Sequence, residues 1–181
     1  MKDIIFRKVE RRDAEQFVKL NNFVWRVAYK DIFPEEVFVE RDDFASEKIQ
    51  NFESIYYNDD TEIVYVAEHN AKIVGLLLGR IDSDYNYFNE QGYADLQALY
   101  VHPDYQGQGI ASRLKYIFVE WAKKNGAERF VIGVLKDNKG ARSVYEKWGG
   151  KLDTHTQPFQ KLGKDYAEVF YTFEIEQKEM Q

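Results

Sequence analysis

Residues 99–111 read Leu-Tyr-Val-His-Pro-Asp-Tyr-Gln-Gly-Gln-Gly-Ile-Ala, an apolar strand that runs into a glycine-rich turn and then into an amphipathic helix. Gly107 and Gly109 let the backbone turn tightly and approach a ligand without a Cβ in the way. The helix that follows directs its unpaired N–H groups and the positive end of its dipole at the same place. The stretch therefore predicts an anion site for a phosphate or pyrophosphate, with a purely structural glycine turn as the alternative.

Two better-known phosphate motifs do not fit this chain. A P-loop requires G-x-x-x-x-G-K-[ST], and no such run occurs in the sequence. The dinucleotide fingerprint fails because Ser112 stands where a third Gly or Ala is expected, and because the preceding strand comes late in the chain. The turn therefore belongs to a different class of phosphate site.

Two blocks of residues share the spacing of a known family. The first block is Q-x-x-G-x-A, formed by Gln106, Gly109 and Ala111. The second is N-x-x-A-x-x-x-Y-x-x-x-G, formed by Asn138, Ala141, Tyr145 and Gly149. Together they resemble the GNAT superfamily of acetyl-CoA-dependent N-acetyltransferases, whose pyrophosphate motif and coenzyme-supporting helix come in the same order. The resemblance is specific only over residues 95–150.

The resemblance implies a role for each matched position. Tyr145 would protonate the departing thiolate of the coenzyme, and Asp95 or a water molecule would act as the base. The Val101 N–H would polarise the acetyl carbonyl. The residues that would bind acetyl-CoA, the co-substrate, are Leu99, Tyr100, Val101, Gln106, Gly107, Gln108, Gly109, Ile110, Ala111, Asn138 and Ala141.

Recognition of the acceptor is less well defined by the sequence. In this fold it comes from the first helices and from the loops around the cleft. Trp25 and Tyr29 are the predicted substrate-binding residues. Phe33 and the acidic, Tyr-rich segment 82–90 are expected to line the rest of the acceptor site. Aromatic and acidic side chains would suit a cationic amine through cation–π and ionic contacts, although packing and surface roles explain the same residues.

The composition limits the class of protein. The 181 residues, 44% hydrophobic and 31% charged, are typical of a single soluble globular domain spanning residues 1–181, with 176–181 as a frayed tail. The absence of Cys excludes a thiol nucleophile, and the spacing of His69, His102 and His155 does not favour a metal site. A net charge of −6 disfavours nucleic acid as a partner. No apolar run is long enough to span a membrane, so a cytoplasmic protein is expected.

The pattern of apolar residues predicts the order β-α-α-β-β-β-α-β-α-β-β. This order matches an α+β fold with a mixed central sheet and helices on both faces, and the resemblance implies that the sheet is GNAT-like, mostly antiparallel, with a cleft where two strands splay. The helices are expected at Arg12–Tyr29, with Asp13 as its cap, at Glu35–Tyr57 as one or two helices, at Gly109–Lys124 and at Asn138–Trp148. The strands are expected at 4–9, Ile63–Ala67, Ile73–Ile81, Ala94–Val101, Arg129–Val134, Gly150–Thr154 and Tyr166–Ile175, with 82–92 as a polar loop.

Three residues have a structural interpretation beside the chemical one. Tyr145 lies on an apolar helix stripe that is also typical of core packing. Asn138 is either the N-cap of its helix or a ligand of the pantetheine arm. Asp95 is either a base or a polar residue at the exposed start of its strand.

The resemblance thus implies an N-acetyltransferase that moves the acetyl group to a primary amine of a small molecule, peptide or protein by direct attack in a ternary complex. A non-catalytic acyl-CoA-binding module of the same fold is the alternative, and a nucleotide-binding regulator is a third. A homodimer is expected only from the family resemblance.

Overall fold

The computed structural model describes residues 3–56 and 60–176 of the chain. Within these residues there are seven strands, namely β1 (Ile5–Lys8), β2 (Glu62–His69), β3 (Lys72–Arg80), β4 (Ala94–Val101), β5 (Arg129–Leu135), β6 (Lys151–Lys161) and β7 (Lys164–Glu174). The same residues form seven α-helices, namely α1 (Ala14–Tyr29), α2 (Glu35–Asp43), α3 (Ala45–Gln50), α4 (Phe52–Tyr56), α5 (Asn86–Asn89), α6 (Ile110–Lys124) and α7 (Lys139–Lys147).

The strands follow the order β1-β2-β3-β4-β5-β7-β6. β1 pairs with β2, β5 with β7 and β6 with β7, all antiparallel, whereas β4 and β5 are parallel at Ala94↔Phe130 and Asp95↔Val131. The predicted fold class is confirmed as a mixed α/β chain with a mostly antiparallel, open seven-stranded sheet. The chain divides into two compact units, Met1–Gly79 with Ala98–Phe118 and Arg80–Gln97 with Val119–Gln181.

The core of the first unit forms around one face of α1. Phe17, Leu20 and Val24 recur at helical spacing and are buried, as the sequence predicts, whereas Val27 of the same predicted stripe is 41% exposed. The three buried residues belong to a hydrophobic cluster whose other members are Val9, Ala14, Val18, Phe52, Val66, Ile73 and Leu76. Burial of these side chains is the main stabilising term of this unit.

Asp13 does not cap α1, contrary to the sequence prediction. Its side chain accepts no hydrogen bond from the first turn of that helix, and a short 3-10 turn at Arg11–Asp13 precedes α1. Asp13 Oδ2 instead accepts the Glu10 N–H at 2.7 Å. The Arg7 guanidinium binds both Asp13 oxygens, at 2.6 and 2.8 Å, and Glu68 Oε2 at 2.5 Å. Asp13 therefore forms a bidentate ion pair with Arg7 and does not cap the helix, because arginine offers the carboxylate two charge-assisted hydrogen bonds at once.

The core of the second unit is aromatic. Phe88, Tyr93, Val131 and Phe170 form a buried cluster with Tyr85 packed against it. The rings of Phe88 and Phe170 lie 4.9 Å apart between centroids, and Tyr85 meets Phe170 edge-on at 4.7 Å. The segment 82–92 was predicted as a polar loop, but it contains α5 and buries Phe88 and Ser83, so it is part of the core.

Other boundaries also differ from the sequence prediction. The stretch from Glu35 forms three short helices rather than one or two, and the predicted end at Tyr57 lies outside the described residues. β6 and β7 are longer than predicted and form a hairpin through Leu162 and Gly163, both with positive φ. The predicted single domain stays a prediction, and residues 177–181 of the predicted tail lie outside the described residues. None of the described helices combines the length and apolar composition needed to cross a membrane.

Candidate functional site

The glycine turn of the first unit lies between β4 and α6. Gly107 has φ +73° and Gly109 has φ +81°, conformations that a side chain disfavours by about 1–2 kcal/mol. A Cβ on Gly107 would meet no atom within 4 Å, so glycine is required there by backbone conformation and not by space. α6 begins at Ile110, and the Gly109 carbonyl accepts the Arg113 N–H at 3.0 Å as the first bond of the helix.

Side chains within the turn hold its shape. Gln106 Nε2 donates to the Val101 carbonyl at 3.1 Å, and Gln108 Nε2 donates to the Asp104 carbonyl at 3.3 Å. The Tyr105 hydroxyl lies 3.1 Å from His69 Nδ1, within hydrogen-bond distance. These bonds favour the conformation of the turn seen here, which reduces the entropic cost of binding a ligand.

The electrostatics of this turn favour an anion. The first N–H groups of an α-helix have no partner within the helix, so those of Ile110, Ala111 and Ser112 point out of the start of α6. The helix dipole adds about half a positive charge there. Two left-handed glycines lie next to these N–H groups, and successive backbone N–H groups in such turns form concavities that can bind anions. The predicted ligands Leu99 and Tyr100 are half-buried on β4, and Val101 is buried.

Asp95 lies on β4 in the second unit and is only 1% exposed, so it is not at an exposed strand end. Its Oδ2 accepts the Ser83 hydroxyl at 3.2 Å and the Asp84 N–H at 3.3 Å. Gln97, two residues along the same face of β4, donates to the Asp84 carboxylate at 2.5 Å. Asp95 Oδ1 is buried and has no hydrogen-bond partner among the described residues.

The pKa of Asp95 is raised to about 7, mainly by burial and in smaller part by the negative charges of Asp84 and Glu168, while the bonds from the Asp84 N–H and Ser83 oppose the shift. A carboxyl that titrates near neutral pH can accept a proton from a reacting group and release it again. The unpartnered Oδ1 leaves one oxygen for such a group. These are two of the properties that a general base requires.

Glu168 on β7 is a second buried carboxyl, 6% exposed, which the sequence analysis missed. Its Oε1 accepts the Tyr85 hydroxyl at 2.9 Å and its Oε2 accepts Gln157 Nε2 at 3.0 Å. Burial raises the pKa of Glu168, and these two bonds oppose the rise. The available signal was an acidic residue followed by the apolar run Val169-Phe170-Tyr171 in a predicted strand.

Gly133 on β5 makes room for this pair. A Cβ at this position would lie 2.4 Å from the Tyr85 hydroxyl and 2.9 Å from Glu168 Oε1. The Tyr85–Glu168 bond thus lies directly against the backbone of β5. Burial and the Glu168 charge raise the pKa of Tyr85, so its phenol stays protonated and continues to donate.

The second sequence block lies on α7 and its N-terminus. Asn138 caps α7, because its Oδ1 accepts the Ala141 N–H at 3.1 Å. Tyr145 is half-buried, with ring centroids 5.9 Å from Trp148 and 5.8 Å from Tyr171. The cap uses the Asn138 oxygen and leaves its amide NH₂ as the group able to bind a ligand.

The predicted acceptor residues belong to an aromatic cluster of the first unit. Trp25 is 8% exposed, stacks on Phe33 at 5.0 Å between centroids, and has the Arg41 guanidinium 4.2 Å from its ring centroid. Tyr29 is half-buried and meets Trp25 at 4.8 Å. The ring of Trp25 is therefore already in contact with a cation of the chain itself. Within the described residues, no group of three or more His, Asp or Glu side chains is placed to bind a metal ion.

Comparison with known proteins gives a family-level match. A sequence model described as "Acetyltransferase (GNAT) family" matches residues 24–150. An acetyltransferase of Yersinia pestis (strain Pestoides F) is 36% identical over 107 residues, which cover 59% of this chain and 67% of that protein. The uncharacterized N-acetyltransferase YobR of Bacillus subtilis (strain 168) is 40% identical over 58 residues, which cover 32% of this chain and 24% of that protein.

The fold is also that of solved acetyltransferases. The structure is similar to the PaiA N-acetyltransferase of Thermoplasma acidophilum, which was solved in complex with coenzyme A. The TM-score is 0.72 with 20% sequence identity, over 92% of this chain and 98% of that one. At this identity the likeness concerns the fold.

Proposed function

Because the chain belongs to the acetyltransferase (GNAT) family, we propose that it transfers the acetyl group of acetyl-CoA to a primary amine of a small molecule, peptide or protein. The observation that carries this proposal is the turn with two left-handed glycines at the start of α6. It offers backbone N–H groups and a helix dipole to the pyrophosphate of the coenzyme. Gln106, Gly107, Gln108, Gly109, Ile110 and Ala111 form the proposed pyrophosphate site.

The proposed reaction is direct attack in a ternary complex. The amine nitrogen forms a bond with the acetyl carbon, and the carbon–sulfur bond of the thioester breaks. Asp95, alone or through water, takes the proton that the amine loses, and its pKa of about 7 suits that task. Tyr145 gives a proton to the thiolate, and the Val101 N–H polarises the carbonyl. Asn138, Ala141, Leu99 and Tyr100 bind the rest of the coenzyme.

We further propose a cytoplasmic protein that acts on an amine-bearing acceptor and not on nucleic acid, in keeping with its net charge of −6. Trp25 and Tyr29 are the proposed acceptor-binding residues. Because Trp25 is 8% exposed and Tyr29 is half-buried, Tyr29 is the ring more accessible to a cationic acceptor. A homodimer is proposed on family resemblance alone.

The test is a calorimetric titration with acetyl-CoA, followed by CoA release with a panel of amines. We expect saturable binding of acetyl-CoA, no binding of ATP or NAD, and amine-dependent release of CoA. A Gly107→Ala variant should bind acetyl-CoA about tenfold more weakly, because the free turn would relax out of the left-handed conformation that Ala disfavours by about 1–2 kcal/mol, and binding would have to restore it.

Gly163→Ala is the matched control for that variant. Gly163 has φ +72° and equally open surroundings, but it lies in the β6–β7 hairpin. It should lose similar stability and keep the wild-type affinity. Binding without turnover on any amine would favour the acyl-CoA-binding module, whereas a folded protein that binds no acetyl-CoA would refute both functions.

Tyr145→Phe should lower kcat by about tenfold and leave the acetyl-CoA affinity unchanged. The effect is modest for a general acid because a thiol with a pKa near 8.5 is already a fair leaving group. Phe keeps the ring contacts with Trp148 and Tyr171. Tyr116→Phe, on a residue of α6 that is 49% exposed, is the control. Equal kcat values for Tyr145→Phe and the wild type would assign Tyr145 to packing.

A further inference from the structure

Glu168 is a buried carboxyl that the proposed reaction does not use. It lies within an apolar strand, 6% exposed, and receives two side-chain hydrogen bonds, from Tyr85 and from Gln157. Burying a carboxylate is costly unless donors compensate it. Two well-placed donors allow Glu168 to remain ionised in this position.

A chain of hydrogen bonds links Glu168 to Asp95. The Ser83 hydroxyl donates to Asp95 Oδ2 at 3.2 Å and accepts the Tyr85 N–H at 3.2 Å. The hydroxyl of the same Tyr85 donates to Glu168 at 2.9 Å. Tyr85 is therefore connected to Asp95 through its backbone and to Glu168 through its side chain.

The donors are divided unequally between the two carboxyls. Glu168 has one donor on each oxygen, at 2.9 and 3.0 Å. Asp95 has two longer bonds on one oxygen and none from the described residues on the other. Since hydrogen bonds to the charged form favour ionisation, Glu168 is the carboxyl that the donors favour in its charged form, and a single proton taken up by the two would reside on Asp95.

The charged groups around Asp95 come from several elements. Asp84, in the segment before β4, forms a salt bridge with Arg80 of β3 at 2.8 Å and accepts a hydrogen bond from Gln97 of β4. Tyr85 is neutral, and Gly133 of β5 carries no side chain. Glu168 of β7 receives its two side-chain hydrogen bonds from a phenol and an amide, neither of which is a cation. Its charge is thus compensated only by dipoles, whereas Asp84 has a guanidinium.

We propose that Glu168 is a positioning residue for the transfer reaction, which holds a fixed negative charge beside Asp95 and so keeps the exchangeable proton of the buried pair on Asp95. This inference rests on the proposed function in its assignment of Asp95 as the base. The proton lost by the amine goes to Asp95 and from there to solvent, and Glu168 stays ionised throughout. Tyr85 is the donor that maintains this state, because its phenol is bound to Glu168.

The test is a ¹³C NMR titration of side-chain carboxyls in the full-length protein without ligand, with Asp95 assigned by the loss of its signal in Asp95→Asn. In the wild type, the Glu168 signal should keep its carboxylate shift while Asp95 titrates. In Glu168→Gln, the midpoint of Asp95 should fall by about one pH unit, because a buried like charge has been removed. Gln157 can rotate its amide to accept from the new side chain.

Two further variants complete the test. Glu168→Asp keeps the charge and should return the Asp95 midpoint towards the wild-type value. Glu174→Gln, at the exposed end of β7, removes the same charge elsewhere and should leave the midpoint unchanged. A Glu168 signal that titrates before Asp95, or an Asp95 midpoint that does not fall in folded Glu168→Gln, would overturn the proposal. The wild-type measurement decides the matter even if Glu168→Gln does not fold.

The outcome can be separated from that of the proposed function. Calorimetry with acetyl-CoA on the same samples tests the transferase assignment, and the NMR titration does not depend on it. If Asp95 is the base, the acid limb of kcat/KM moves down in Glu168→Gln together with the NMR midpoint. A midpoint that falls while the acid limb stays in place supports the electrostatic role of Glu168 and refutes Asp95 as the base.

Discussion

An Asp95→Asn variant is expected to acetylate amines about 100-fold more slowly than the wild type, with unchanged affinity for acetyl-CoA. Asparagine has nearly the same shape and can still accept from Ser83 and from the Asp84 N–H, but it cannot take a proton. The wild-type rate should rise with pH through about 7, the pKa of Asp95, and this limb should vanish in the variant. Initial rates of CoA release from pH 5 to 9 measure both effects.

The same substitution should not destabilise the protein. Because the folded-state pKa of Asp95 is raised above its ordinary value, the folded state binds more protons than the unfolded state between about pH 4 and pH 7. The wild type therefore loses stability as the pH rises through this range. Asp95→Asn removes that loss and should be at least as stable as the wild type at pH 8, as measured by urea unfolding.

Glu174→Gln is the control for Asp95→Asn, since it changes one carboxyl to an amide on an exposed residue. Wild-type rates for Asp95→Asn would show that another group or solvent takes the proton. A variant that is both inactive and unfolded at pH 8 would assign Asp95 to the structure, because the loss of activity would then follow from the loss of fold.

Arg7→Met is expected to lower the free energy of unfolding by about 3 kcal/mol at pH 7, the largest change in stability that we predict. The side chain of Asp13 is only 4% exposed, and Arg7 provides its ionic partner and a link to Glu68. Without arginine, Asp13 retains the Glu10 N–H and is otherwise a buried charge. Urea unfolding followed by circular dichroism measures the difference.

The difference in the free energy of unfolding between the wild type and Arg7→Met should become smaller in acid. Burial alone would raise the pKa of Asp13, but the bonds from Arg7 and the Glu10 N–H outweigh it and lower that pKa. The ion pair thus stabilises the wild type above about pH 4 and is lost as the pH falls through the folded-state value. The two proteins should therefore converge in stability as the pH drops below about 4.

Arg12→Met is the matched control, since Arg12 is 71% exposed and pairs with Glu10 at the surface. It should change the free energy of unfolding by about 0.5 kcal/mol or less. A similar small change in Arg7→Met would mean that solvent compensates Asp13 as well as arginine does. A deficit that persists unchanged at low pH would assign the effect to lost packing of the Arg7 side chain.

The glycine turn and the strands beside it could be predicted from the sequence because their signals are local. Gly107 and Gly109 lie between an apolar run and the apolar stripe of a helix. Both have a positive φ, which is the conformation that explains glycine at these positions. The Asn138 cap was one of two interpretations, and it follows from residue type and spacing alone. Such features depend on a few consecutive residues and need no knowledge of the tertiary structure.

The features that could not be predicted depend on contacts distant in sequence. Glu168 meets Tyr85 across 83 residues, and only the sheet order brings the two together. Asp13 has the residue type of an N-cap, but Arg7 offers two charge-assisted bonds in place of it. The helical stretch after Pro34 broke into three short helices, because its weak apolar periodicity sets no clear boundary.

The fit between Gly133 and Tyr85 also constrains how this protein can diverge. The tyrosine hydroxyl fills the space that any side chain at position 133 would need, so the two positions cannot vary independently. Alanine at position 133 would force the Tyr85 hydroxyl and Glu168 Oε1 to move, and a smaller residue at position 85 would relieve the contact but remove a hydrogen-bond donor to Glu168. Residues 85 and 133 are therefore a pair to follow in related chains.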